Sequence, residues 1–239
     1  MGGSGRLSSA GEATVMEDIL LTSAQIEMIA EGVCDTLYMT LVSTAFGYII
    51  GLPWGIILTV TEKNGLHPCR ALYRILDVIT NIMRSIPFLI MLVLVIPLTR
   101  FIVGKSYGSS ATIVPLVISA APLIARMVES SLAEVDKGVV EAAQSMGAGN
   151  AQIVIRVLLK EARVSLISGA TITAGTILGY SAMAGTVGGG GLGDIAIRYG
   201  YYRYQPNILF LTVALLVILV QLFQLVGNMI GKRLDKRKV

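Results

Sequence analysis

Five long intervals of this 239-residue chain contain no charged side chain: residues 36–61, 85–99, 106–125, 164–193 and 204–231. Crossing the ~30 Å hydrocarbon core of a bilayer takes ~20 mostly apolar residues in a helix. Four intervals meet that length directly. The second meets it when extended to 78–103, which puts Arg84 near its inner end. Backbone amides have no water partner in lipid, so each interval is expected to be a helix. Composition agrees, because only 14% of residues are charged against ~25% in a soluble domain. Gly47, Gly51, Pro53, Gly55, Pro87 and Pro97 fall inside the intervals; a membrane bundle tolerates them. The expectation is an all-α integral membrane protein with five spans, about 36–61, 78–103, 106–126, 164–187 and 206–231.

The positions of the cations set an orientation. With five spans, thirteen Lys and Arg fall on the side holding Lys63, Arg70, Arg74, residues 126–163 and the C-terminal tail. Five fall on the other: Arg6, Arg100, Lys105, Arg198 and Arg203. The richer side is expected in the cytoplasm, with the N-terminus outside. A net charge of +4 spread over loops in this way argues against a nucleic-acid surface. Cys34 and Cys69 then lie on opposite sides, which forbids a disulfide between them. One histidine and two cysteines supply little for metal or thiol chemistry. Residues 1–15 are rich in Gly and Ser and read as a flexible linker ahead of a single transmembrane domain, 16–239.

The cytoplasmic connection 126–163 is far longer than the other loops. Within it Val139, Val140, Ala143 and Met146 place apolar groups on a short amphipathic helix around Glu141 and Ala142. Gly147 or Gly149 can end that helix in the left-handed conformation, and Asn150 can cap the next. The residues alone leave two readings open: a ridge offered to a groove on a partner, or a surface helix packed on its own bundle.

Glu141-Ala142-Ala143, then Gly147, then Val157-Leu158-Leu159 resembles the Glu-Ala-Ala signature of ATP-binding cassette (ABC) importer permeases, with Lys160 where the signature ends in Pro. That departure puts the usual helix break at this point in question. Arg84-Ser85-Ile86-Pro87-Phe88 resembles a stretch of amino-acid importers. Ile96 to Arg100, Ala120 to Arg126 with Glu129, and Gly179 to Met183 followed by Gly188 to Gly193 resemble methionine importer permeases. The resemblance covers about residues 30–232. It implies a type I ABC importer permease in a bacterial plasma (inner) membrane. It implies partners too: a second copy of the chain, two copies of a separate ATPase, an extracellular or lipid-anchored substrate-binding protein, and membrane lipid. No cofactor is expected on this chain, ATP and Mg being held by the ATPase. The coupling loop is about 134–160, with Val139, Val140, Glu141, Ala142, Ala143, Met146 and Gly147 meeting the ATPase.

Other features carry weaker signals. Gly188, Gly190 and Gly193 match a dinucleotide fingerprint in letters only, since no strand precedes them; a flexible outer hinge or a plain loop is expected. Tyr180, Ser181, Met183 and Thr186 are candidates for the translocation path, with simple packing as the alternative. Arg84 and Pro87 are candidates for a structural or gating role; Arg84 can snorkel to the inner surface, with Asp77 as a candidate partner. Tyr199, Tyr201, Tyr202 and Tyr204 fit an interfacial belt, and the basic tail fits the inner leaflet. The rival functions are a permease for a polar amino acid or quaternary amine, an ATPase-independent channel or transporter, and a structural assembly subunit.

Overall fold

A computed structural model describes residues 22–234, so the 1–15 linker and Lys236, Arg237 and Lys238 lie outside the described residues. Among those described, every regular element is helical. The helices are α1 Ser23–Thr61, α2 Arg70–Ser85, α3 Phe88–Leu94, α4 Ile96–Val103, α5 Ser109–Ala133 and α6 Lys137–Ser145. A run over 150–161, α7, follows; its middle, Ile153–Leu158, is wound as a wider π-helix. Then come α8 Arg163–Ala184, α9 Gly191–Ile195 with a π-wound extension Ala196–Tyr201, and α10 Pro206–Leu234.

Four helical stretches are long and apolar enough to cross a membrane: α1, α5, Arg163–Tyr201 and α10. The fifth span is corrected. The expected continuous helix 78–103 is instead α2 and α3 joined at a 103° bend, followed by α4. Pro87 explains the break: it caps α3, and the residue before a proline is driven out of the α region, as the extended Ile86 (ψ 121°) shows. Two other ends also move. The helix expected from 36 begins at Ser23, where Gln25 Oε1 accepts from the Thr22 amide at 2.9 Å. The helix expected to end near 126 runs on to Ala133. At ~1.5 Å per residue the 39-residue α1 is ~58 Å long, well beyond a bilayer core.

The bundle is built on the α1–α5 pair. Gly47, Gly51 and Gly55 recur every fourth residue, lie buried on one face of α1 and let α5 come close. A methyl at Gly51 would sit 2.7 Å from the Ala121 carbonyl oxygen, and one at Gly55 2.6 Å from Val128 Cβ. Gly47 meets Ala120 and Ile124 one turn earlier, so the helices run parallel. α8 is antiparallel to α5: Ser165 meets Ser131 at 3.1 Å, and Gly169 meets Met127. α10 crosses α8 at Gly227 against Thr171. Large apolar side chains such as Phe210, Val217, Leu222 and Leu225 on α10, and Phe46 and Ile49 on α1, stay exposed. Such a surface suits lipid rather than water.

This arrangement gives the bundle two distinct ends. At one, Thr59 and Val60 of α1 and Leu132 of α5 adjoin α6. At the other, the glycine run is stitched to α1 and α5. Thr36 Oγ1 accepts from the Leu192 amide at 2.9 Å, and the Gly108 amide donates to the Gly188 carbonyl at 2.9 Å. The loop carrying Glu141 and the loop carrying Gly188 are therefore at opposite ends.

Candidate coupling surface and translocation face

Helix α6 is closed by local chemistry at both ends. Asp136 Oδ1 accepts from the Gly138 amide at 2.7 Å, an N-cap. At the far end Gly147 adopts φ 80°, with its amide donating to Gln144 O at 2.9 Å and that of Ala148 to Ala143 O at 3.1 Å. This pair of bonds is a Schellman closure, and it requires the left-handed residue that glycine provides. The expected cap on the following helix shifts by one residue. Gly149, not Asn150, takes the N-cap position, and Gln152 Oε1 accepts from its amide at 3.3 Å.

The seven coupling residues divide by face. Ala143 is buried and Val140 packs beside it against the core formed by Leu132 and Leu158. Val139, Glu141, Ala142, Met146 and Gly147 face outward, and Met146 is 81% exposed. The helix is thus anchored by one apolar stripe and still offers a second. Beside it lies a groove of about 400 Å³, walled by Glu62, Asn64, Lys137, Glu141 and Gln144. Its far wall, 62–66, was not anticipated, although Asn64-Gly65 is a turn signal. Lys160 does not break the helix: the run continues through Leu159–Glu161 and turns at Ala162 (ψ −2°). The amide of Ala162 donates to Leu158 O at 2.9 Å.

The path candidates also separate. Gly179 and Met183 on α8 are exposed, as is Thr186 just beyond its end, with Tyr180 half-buried on the helix. Ser181 lies two residues from Met183, on the opposite face. It is 1% exposed and donates to Leu178 O at 2.8 Å, inside the bundle. The glycine run is not a loose hinge. Gly191 and Gly193 are buried, and a methyl on Gly193 would collide with the backbone of Ala182. Gly188 and Gly190 adopt positive φ to make the turn.

Arg84 closes α2 and shares a cavity with Ser119 and Leu123 of α5. Asp77 is not its partner. Asp77 belongs to a cluster that sequence reading missed: Arg126 donates to Asp77 (2.5 Å), Asn81 (2.8 Å) and Glu129 (2.6 Å), and the Tyr73 hydroxyl donates to Glu129 at 3.2 Å. The i,i+3 spacing of Arg126 and Glu129 was the one legible hint. The cluster clamps α2 to α5. Among the described residues no three His, Cys, Asp or Glu side chains converge as metal ligands.

Known proteins share this architecture. Residues 51–239 match the family of binding-protein-dependent transport system inner membrane components. The probable D-methionine transport system permease protein of Vibrio cholerae is 51% identical over 85% of this chain and 90% of its own length. The corresponding protein of Pasteurella multocida is 43% identical over 88% and 97%. A solved chain of the MetNI methionine ABC transporter, in inward facing conformations, superposes with TM-score 0.89 at 48% identity, over 90% of this chain and all of that one. An amino acid ABC transporter solved with histidines shares the fold at TM-score 0.71 and 19% identity. The type I ABC importer permease fold is common to these structures, and the chain belongs to the family of binding-protein-dependent transport system inner membrane components of bacteria.

Proposed function

We propose that this chain is the permease subunit of an ATP-driven methionine importer. The single observation behind this reading is its 51% identity to a D-methionine permease across nearly the full length of both chains. The site geometry fits the role. Helix α6, rigid at both ends, presents Val139, Met146 and Glu141 outward from the cation-rich end of the bundle. An ATPase binding there moves α6, and α6 moves the core through Val140 and Ala143. ATP and Mg stay on that partner; this chain contributes the path. The exposed face of α8 around Gly179 and Met183 is half of that path, and a second copy supplies the other half about a two-fold axis. A substrate-binding protein delivers the solute at the glycine-run end.

The test is uptake by vesicles containing the complete complex and its binding protein, with a panel of labelled solutes. Methionine should accumulate only with ATP. Accumulation of a polar amino acid or a quaternary amine in its place would transfer the same machinery to another substrate.

A further inference from the structure

Helix α2 is held on the bundle by polar contacts. Of its 16 residues only Thr80 is buried. Leu72, Ile75, Val78, Ile79 and Ile82 are exposed. Tyr73, Asp77 and Asn81, four apart along one stripe, turn to α5. Arg126 donates across that seam to Asp77 at 2.5 Å and Asn81 at 2.8 Å, and the Tyr73 hydroxyl donates to Glu129 at 3.2 Å. The α1–α5 seam, by contrast, is packed through glycines. α2 also has a joint at each end: the 62–69 connection before it, with its Asn64-Gly65 turn, and the 103° bend at Ile86–Pro87 after it. Arg126 has a second carboxylate that does not belong to α2, because Glu129, one turn along α5, accepts from it at 2.6 Å. If α2 parts from α5, the guanidinium keeps Glu129, and Asp77, whose side chain is already 28% exposed, regains water. Breaking a buried ion pair is costly when it leaves a charge bare; this arrangement avoids that on both sides. Finally, Leu132, six residues beyond Arg126 on α5, packs with Val140 and Ala143 of α6. The clamp is on the helix end against which α6 rests.

From these we infer that Arg126 is a positioning residue of the transport cycle, a latch between α2 and α5 that is shut in this structure and opens in the alternate access state; the inference rests on the importer reading above. Displacement of α6 draws on the end of α5 through Leu132. The contacts to Asp77 and Asn81 give way, and the Tyr73–Glu129 bond crosses the same seam and breaks with them. α2 then swings as a rigid segment about the Pro87 bend. Opening exchanges two acceptors of Arg126 for water and leaves the Arg126–Glu129 pair intact on α5. The seam therefore has two discrete arrangements, which is what a switching element requires. Arg126 acts by setting when the two helices part, and not by contact with the solute. A seam closed by an apolar ridge would lack this property, because parting it would expose apolar surface without a substitute partner.

The experiment is a distance measurement on the complete permease–ATPase complex in vesicles with its binding protein. Spin labels are placed at Ile75→Cys on α2 and Ser130→Cys on α5, both exposed positions. Cys34 and Cys69 are replaced by serine, and labelled copies are diluted with unlabelled ones so that each pair reports on one chain. The distance should differ by about 5 Å between the nucleotide-free complex and the complex held with a non-hydrolysable ATP analogue, the scale of a one-turn shift. Arg126→Gln should raise the nucleotide-free population at the longer distance about tenfold. It should also lower the solute imported per ATP hydrolysed several-fold, with Arg126→Lys intermediate. That ratio separates a latch from a prop, because a merely structural loss lowers uptake and hydrolysis together. An unchanged distance between the two nucleotide states of the complex with Arg126 in place overturns the latch without any Arg126 variant having to fold. An unchanged ratio in Arg126→Gln overturns it as well. The methionine reading fails in a different way: ATP-driven uptake of another solute, with the distance change intact, removes methionine and supports the latch.

Discussion

At Gly51 the backbone of α1 lies so close to α5 that no side chain fits. A Cβ there would be 2.7 Å from both the Ala121 carbonyl oxygen and Ile124 Cβ. Gly51→Leu should therefore destabilise the detergent-solubilised protein by about 1–3 kcal/mol, the usual cost of overpacking, read as a lowered midpoint in a denaturation series. Unchanged stability would mean the two helices are free to separate. Arg126 is a different kind of residue. Its two carboxylate partners are partly enclosed and would lose their cation together in Arg126→Gln. The expected loss is about 1–3 kcal/mol, part of it returned by adding Asp77→Asn. Gly47, Gly51 and Gly55 read in the sequence only as residues that a membrane bundle tolerates, although their period of four places them on one face of a helix. The Arg126 cluster was not legible, because Asp77 is 49 positions away and nothing local in the sequence points across that distance.

Among the elements, α6 was the most readable. Its apolar stripe and its closing glycine are local chemistry, which survives in sequence, although the Asp136 cap at its start was not read. Its caps should be worth roughly 1 kcal/mol for Asp136→Ala and about 1–2 kcal/mol for Gly147→Val, where a Cβ must enter the left-handed region. The exposed stripe should behave in the opposite way. Val139→Asp with Met146→Asp should leave stability within about 0.5 kcal/mol yet prevent co-elution with the ATPase on size exclusion. Co-elution at the unmodified yield would remove this face from the docking surface. The second span was the least readable element. Charge-free length suggested a straight helix, but Pro87 turned the chain by 103°. Hydropathy records how apolar a stretch is and not its direction. The same limitation hid the packing of the glycine run, whose residues look like loop by composition and lie buried by contact.

For the molecule as a whole, the two ends of the bundle carry the functional argument. The glycine run and α6 are at opposite ends, and the cations gather at the α6 end, including Lys63, Arg70, Arg74, Lys137, Arg156, Lys160 and Arg163. The positive-inside rule turns that geometry into an orientation. Cys34 and Cys69, both free and exposed, report on it directly. A membrane-impermeant maleimide applied to the outer face of oriented vesicles should label Cys34 and spare Cys69. The reverse pattern would turn the molecule over and place α6 beyond reach of a cytoplasmic ATPase. Fold and family were legible because span lengths, the Glu-Ala-Ala spacing and the charge bias are all properties of the linear chain. The inward turn of Ser181 was not, because it depends on how helices meet.

The central claim is that solute crosses through this chain only when a separate ATPase acts on it through α6. The most direct measurement is methionine accumulation in vesicles holding this chain with its binding protein, with and without the ATPase subunit. The account predicts ATP-dependent accumulation with the ATPase present and none without it. It also predicts that Glu141→Lys abolishes accumulation while the bundle remains folded. Methionine flux through this chain alone, at a rate indifferent to ATP and to Glu141, would contradict it.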